Sequence, residues 1–245
     1  MSENEKMDIS IVIPCYNEEM IIEKSFAEIE ETMSLLKVKY EVIFVDDGSV
    51  DSTRLLIKKI CSSCENAKFV FHEKNMGRGK AVETGINMAS GNIAGFLDID
   101  LSVSAVFIPK FYTEVINGCD VVTALRVYKI LEMKKLFYNV IRLFLHFGYR
   151  TVLKLMFRTS LKDTETGFKF FNRERILPLL KKVKSAHWFW DTEIMIRAYY
   201  GGYKIKEVPA LYLRKPEHGS RVRIFKDVAY YIGRLFWFGK ELKKK

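Results

Sequence analysis

Five short apolar runs punctuate the first half of the chain, and a stretch of helical spacing separates each from the next. Residues 9–13, 41–45, 69–72, 93–97 and 120–124 have strand length and are rich in β-branched and aromatic side chains. Between them, residues 18–36, 51–61, 77–88 and 108–115 repeat apolar positions at helical intervals. Ser49 and Asp51 stand just ahead of the second of these helices, where N-caps belong. Apolar strands alternating with helices predict an α/β fold with a mostly parallel sheet covered on both faces.

The second half breaks the rhythm. Residues 132–158 read as one long helix or two consecutive ones, 167–172 as a strand and 191–200 as a helix. Residues 204–213 read as one or two strands around Pro209, and an amphipathic helix follows from about 223 to 242. No repeat and no linker rich in Pro, Gly or Ser divides the chain. The reading is one main domain over residues 1–222, with a basic amphipathic tail over 223–245.

With 245 residues, 49% of them hydrophobic, the chain can build one sizeable core. Cys15, Cys61, Cys64 and Cys119 suggest no disulfide framework, and Cys61 and Cys64 lack a second pair or a nearby histidine for zinc. A reduced, cytoplasmic protein is expected. Residues 1–8 are polar and acidic, unlike a signal peptide, and no run of about 18 apolar residues predicts a spanning helix. The net charge of +10 is uneven, with an acidic start and a basic, aromatic second half. That asymmetry points to an anionic surface, and with no nucleic-acid module in the sequence, to membrane lipid at which the protein sits peripherally.

Candidate chemistry gathers where strands end, at the edge where open α/β sheets bind ligands. The first strand runs into Pro14, which ends it, and Tyr16, whose ring can stack on a base. Asn17 or Asp47 can bond a base edge, while Glu18 can reach a ribose hydroxyl or cap the next helix. Asp46, Asp47, Gly48 and Ser49 follow the second strand, and Arg78 lies in a glycine-rich loop ahead of a helix. Asp98 and Asp100 follow the fourth strand and can hold a hard divalent cation, which in such a site neutralises phosphate oxygens.

These segments carry a resemblance. IVIPCYNEE, VDDGSVDST, NMGRGKA and FLDIDLS resemble glycosyltransferase family 2 in order and spacing over residues 9–126. The resemblance implies a GT-A fold, Rossmann-like with helices flanking a mostly parallel sheet, and an inverting enzyme that uses a nucleotide-activated sugar with Mg2+ or Mn2+ at Asp98 and Asp100. Leu125-Arg126, DTETGFK at 163–169, and Arg214 followed by Gly219-Ser220-Arg221 extend it to the branch that glycosylates polyprenyl phosphates, which includes dolichyl-phosphate mannose and glucose synthases. Where mannose synthases carry Gln two residues after the second metal aspartate, this chain has Ser102, as in the glucose type. A UDP-hexose is therefore favoured as donor, with GDP-mannose as the other candidate.

A lipid phosphate is already anionic at neutral pH, so it needs cations to align it more than a base to activate it. Arg126, Arg142, Arg214 and Arg221 are the candidates. By resemblance Arg126, Arg142 and Arg214 match phosphate-binding arginines, with His146 where the family often has Ser. Asp191, in an aromatic-acidic segment that the family shares, is either a general base for a sugar hydroxyl or a cap or orienting group. A saccharide acceptor, and a scaffold without turnover, stand as rival readings. Arg142, His146, Arg150, Lys154 and Arg158 recur every four residues beside an apolar remainder, as on a helix at a membrane interface. The tail has the same composition and reads as a second membrane contact or a homodimer contact.

Overall fold

A computed structural model describes residues 7–128, 148–213 and 224–243, with side chains from 230 onward in the last segment. The strands are β1 (Ile9–Cys15), β2 (Tyr40–Asp46), β3 (Ala67–Phe71), β4 (Ile93–Leu97), β5 (Val121–Tyr128), β6 (Phe168–Asn172) and β7 (Ile205–Tyr212). The helices are α1 (Ile22–Leu36), α2 (Thr53–Ser63), α3 (Arg78–Met88), α4 (Ile108–Ile116), α5 over 148–157, α6 (Arg173–Leu180), α7 (Phe189–Tyr200) and α8 (Ile224–Leu242).

All seven strands join one sheet in the order β3-β2-β1-β4-β6-β5-β7. Only β6 runs against its neighbours β4 and β5, so the mostly parallel sheet is as expected. The alternation of side chains along each strand feeds two cores. Ile11, Ile13 and Phe44 pack with Ile29, Ile57 and Phe111 from α1, α2 and α4. Val12, Ile43 and Val45 pack on the other face with Val82, Ile86, Trp190 and Ile194 from α3 and α7.

Differences from the sequence reading are local. Neither Ser49 nor Asp51 is the residue before α2, which is Ser52. Asp51 still caps, because its carboxylate accepts the Thr53 N–H at 3.0 Å. Ser49 instead accepts the Asn17 N–H at 2.8 Å. Residues 204–213 hold one strand, β7, with Pro209 inside it at the sheet edge, where its missing donor costs no ladder bond. Helix α6 was not expected. Asn172 caps it by accepting the Arg175 N–H at 3.2 Å, and burial of Ile176, Leu179 and Leu180 offsets the bond lost at Pro178.

The tail helix does not stand apart. Leu235 and Phe238 of α8 are buried in a third core with Leu153 and Phe157 of α5 and Phe189 and Ile196 of α7. The outward sides of α5 and α8 expose Leu155, Ile232 and Phe236. Among the described residues no helix is long and apolar enough to cross a membrane.

Opposite the ligand edge, Glu41 ties the strands together. Its Oε1 accepts from Ser10 Oγ at 2.6 Å and from the Ser90 N–H at 2.7 Å, and its Oε2 pairs with Lys68 at 2.7 Å. Burial alone would push this carboxyl up, but Lys68, Ser10 and Ser90 together pull it down to about 2. A depressed carboxyl stabilises the fold above its unfolded value and loses that contribution as pH falls from about 4.5 towards 2. Glu41→Gln should therefore lower stability by about 2 kcal/mol at pH 7. Urea melts of both proteins should show the gap closing as pH falls through that window.

Candidate active site

Between β1 and β4 the chain departs in opposite directions across the sheet, which opens a crevice at their carboxyl ends. A cleft of about 260 Å³ lies there, walled by Pro14, Tyr16, Glu18, Asp47, Arg78, Asp98 and Asp100 among others. Segments far apart in sequence thus converge on one edge, as the strand pattern requires.

One wall is built by Asp47, 2% exposed. Its Oδ1 accepts the Met76 N–H at 2.8 Å and lies 2.8 Å from His72 Nδ1, while its Oδ2 accepts the Gly77 N–H at 2.8 Å. The carboxylate pins the 75–77 loop that starts α3. Gly77 has φ of 102°, and a side chain there would strike His187 and the Ala186 carbonyl, so only glycine fits. Asn17, Asp46 and Ser49 sit behind this wall. Asn17 Oδ1 accepts the Val50 N–H at 2.9 Å, and Asp46 is fully buried against Arg54 at 2.6 Å. Those three brace the loops, whereas Pro14, Tyr16 and Glu18 face the cleft.

The opposite wall is a chain of charges. Arg78 Nε and Nη2 both reach Asp98 Oδ1, at 2.6 and 2.5 Å. Its Nη1 donates to Asp191 Oδ2 at 2.5 Å, and Lys169 Nζ donates to Asp191 Oδ1 at 2.7 Å and to the Thr166 carbonyl. Asp191 and Lys169 have side chains only 2% and 0% exposed. The guanidinium lies between the rings of Phe96 and Trp188, 5.3 and 5.1 Å from their centroids. Burial opposes the charge on Arg78, but Asp191 and Asp98 hold it firmly protonated. Lys169 is pushed down by burial against the pull of Asp191.

Asp100 is clasped by Ser102, whose N–H and Oγ donate to its two oxygens at 2.9 and 2.8 Å. Burial pushes Asp98 up to about 6; Arg78 pulls the other way, while Asp100 and Asp191 add repulsion. A cation here would relieve that crowding, so two hard carboxylates at the cleft fit Mg2+ or Mn2+. Among the described residues no group of three or more metal ligands gathers. The protein would supply Asp98 and Asp100, and a diphosphate and water the remaining oxygens.

Arg126 lies near the carboxyl end of β5, two residues before its ladder with β7 closes at Tyr128. Asp163 grips it through Nε at 2.6 Å and Nη2 at 2.8 Å, and Glu165 meets Nη2 at 3.3 Å. Tyr128 and Tyr212 flank the guanidinium at 6.0 and 5.8 Å. Behind it, Thr192 Oγ1 lies 2.5 Å from Tyr149 Oη and 3.1 Å from Thr164 Oγ1. Burial raises the Glu165 carboxyl, against the pull of Arg126. Arg142, His146, Arg214 and Arg221 lie outside the described residues.

The sequence reading assigned no role to Lys169, Trp188 or Gly167. A lysine amid Phe168, Phe170 and Phe171 was the available signal, since a charge on a strand of phenylalanines must be paired if buried. Asp98 and Gly167 are joined by an N–H to carbonyl bond of 2.9 Å, and a Cβ on Gly167 would overlap the Asp98 carboxylate.

Comparison with known proteins bears on the family and the fold. The family model for Glycosyl transferase family 2 matches residues 10–177. Glycosyltransferase AglD of Haloferax volcanii is 27% identical over 227 residues, covering 91% of this chain and 35% of that protein. The dolichyl-phosphate beta-glucosyltransferase of Saccharomyces cerevisiae is 29% identical over 227 residues, covering 84% of this chain and 67% of that protein. The chain thus spans about a third of the archaeal relative's length and about two thirds of the yeast one's. Among solved structures, glucosyl-3-phosphoglycerate synthase from Mycobacterium tuberculosis, in complex with Mn2+, uridine diphosphate and phosphoglyceric acid, superposes with a TM-score of 0.66 at 21% identity. That match covers 91% of this chain and 74% of the other, and it shows the GT-A fold.

Gly167→Ala should push Asp98 and Arg78 out of register. We expect at least about tenfold weaker binding of uridine diphosphate with Mg2+, read by calorimetry, with an unchanged far-ultraviolet spectrum. Undiminished affinity would remove Asp98 and Arg78 from the nucleotide site.

Proposed function

This chain belongs to glycosyl transferase family 2, and we propose that it transfers a hexose, with inversion, from a nucleotide-diphosphate sugar to a polyprenyl phosphate at the cytoplasmic membrane face. A UDP-hexose is the favoured donor, ahead of GDP-mannose. The relative from Saccharomyces cerevisiae supports the acceptor class, because it is a dolichyl-phosphate beta-glucosyltransferase.

The observation that carries this reading is the state of Asp191. Both of its oxygens are engaged, by Lys169 at 2.7 Å and Arg78 at 2.5 Å, within a nearly dry site. A general base must reach the proton it removes. Asp191 would have to leave two cations to do so, which costs several kcal/mol for a buried pair. A saccharide hydroxyl needs such a base, whereas a phosphate monoester does not. The arrangement therefore favours the phosphate acceptor over the rival saccharide reading.

Tyr16 offers a ring to the base, and Glu18 a carboxylate to the ribose. Arg78, fixed by two carboxylates and two rings, sets the place of the diphosphate. Bound at Asp98 and Asp100, a divalent cation would neutralise charge developing on the leaving nucleoside diphosphate. Arg126 holds the acceptor phosphate, joined in this reading by Arg142, Arg214 and Arg221. Inversion follows when that phosphate meets the anomeric carbon from the face opposite the diphosphate.

Asp100→Asn should abolish most transfer of radiolabelled sugar into the butanol-soluble lipid fraction, and EDTA should do the same to the unaltered protein. Full activity of Asp100→Asn in EDTA would refute the metal reading.

The exposed Leu155, Ile232 and Phe236 support membrane contact by α5 and α8. Replacing all three by Ser should cut binding to anionic vesicles about tenfold or more, given the worth of buried apolar side chains. Flotation at two salt concentrations would separate this apolar part from the screened charge part. If the variant instead halves the mass in light scattering and floats as before, α8 is a dimer contact.

A further inference from the structure

We propose that Glu165 is an anionic placeholder on Arg126: it occupies the edge of the guanidinium that an acceptor phosphate grips, and gives way when that phosphate arrives. The inference rests on the polyprenyl phosphate reading above. A guanidinium presents its five N–H groups along fixed edges, each able to meet two oxygens at once. On Arg126, Asp163 takes the Nε–Nη2 edge in bonds of 2.6 and 2.8 Å. Asp163 is 3% exposed, and Glu207 of β7 accepts its N–H at 2.8 Å. That pairing is framework, and an incoming anion does not displace it.

The Nη1–Nη2 edge remains. Among the described residues, Glu165 alone accepts there, through one Oε2 contact of 3.3 Å to Nη2, and none accepts from Nη1. The two carboxylates on one arginine therefore differ in kind. Asp163 has a side chain 1% exposed with two short bonds, while Glu165 is 26% exposed with one long bond. A phosphate monoester brings two oxygens to Nη1 and Nη2 and replaces a single weak contact with a bidentate one. A singly charged anion gains less by the exchange. Glu165 thereby keeps this cationic edge, which no other described residue occupies and which Tyr128 and Tyr212 flank, from filling with any small anion. It is a positioning residue that sets acceptor selectivity.

The test uses the full chain, saturating donor, farnesyl phosphate as acceptor and inorganic phosphate as competitor. Glu165→Gln removes the charge at constant shape, and Glu165→Asp withdraws it from reach. Each should lower the acceptor KM by about fivefold, the size expected from losing one partly exposed competing ion pair. Each should tighten inhibition by inorganic phosphate to a similar degree. A purely structural role would not tighten either constant. Unchanged constants in both variants would overturn the placeholder, and a raised KM would make Glu165 an acceptor contact instead. Arg126→Lys separates the premise from the inference. If it raises the acceptor KM while the Glu165 variants change nothing, the placeholder alone fails. If it leaves the acceptor KM untouched, Arg126 is not the acceptor arginine and both readings fall.

Discussion

Charge inside a protein is tolerated only where it is paired, and here one buried pairing organises the catalytic edge. Lys169 rises from β6, Asp191 from α7 and Arg78 from the start of α3, and the three meet with almost no access to water. Removing any one strands its neighbour. The consequence reaches beyond stability, because these elements come from the two halves of the chain. Helix α7 can carry Asp191, Glu193 and Arg197 on an almost wholly buried surface only because each has a partner, Glu193 and Arg197 meeting each other at 2.7 Å. The ion pairs therefore fix the rotation of α7 and with it the position of Trp188 over Arg78.

Much of the fold was legible because its signals are local. Residues 93–97 are buried throughout and form β4 with the bounds their apolar run implies. β5 continues past its apolar run to Tyr128 because it pairs with β7 along all eight residues, and a long-range partner leaves no local mark. Helix α6 was hidden by its shortness and by Pro178, since its support comes from the core. The antiparallel course of β6 was likewise invisible, although it is what turns the 163–167 segment towards the ligand edge.

The site was legible as a set of loops and illegible as a set of contacts. Asp98 and Asp100 were visible from their place after a buried strand. The bond from Arg78 to Asp191 spans 113 residues, and no periodicity reports it. Asp46 and Asp47 are adjacent and alike in sequence, yet one faces Arg54 behind the wall and the other forms the wall. Asp46 ends β2 and Asp47 is the first residue beyond it, and only the placement of α2 and the 75–77 loop says which side each faces.

The balance of charge at the cleft carries a thermodynamic consequence. Three carboxylates, Asp98, Asp100 and Asp191, face two cations, Arg78 and Lys169, and Asp47 and Glu18 add to the negative side. Such a crevice repels a free diphosphate as it attracts a divalent cation. Each ligand then lowers the electrostatic cost of the other. Linkage requires the two effects to be equal: whatever factor the cation contributes to nucleotide affinity, the nucleotide returns to cation affinity. On the proposed metal and nucleotide reading, a cleft of this polarity would respond to the two components together more than to either alone.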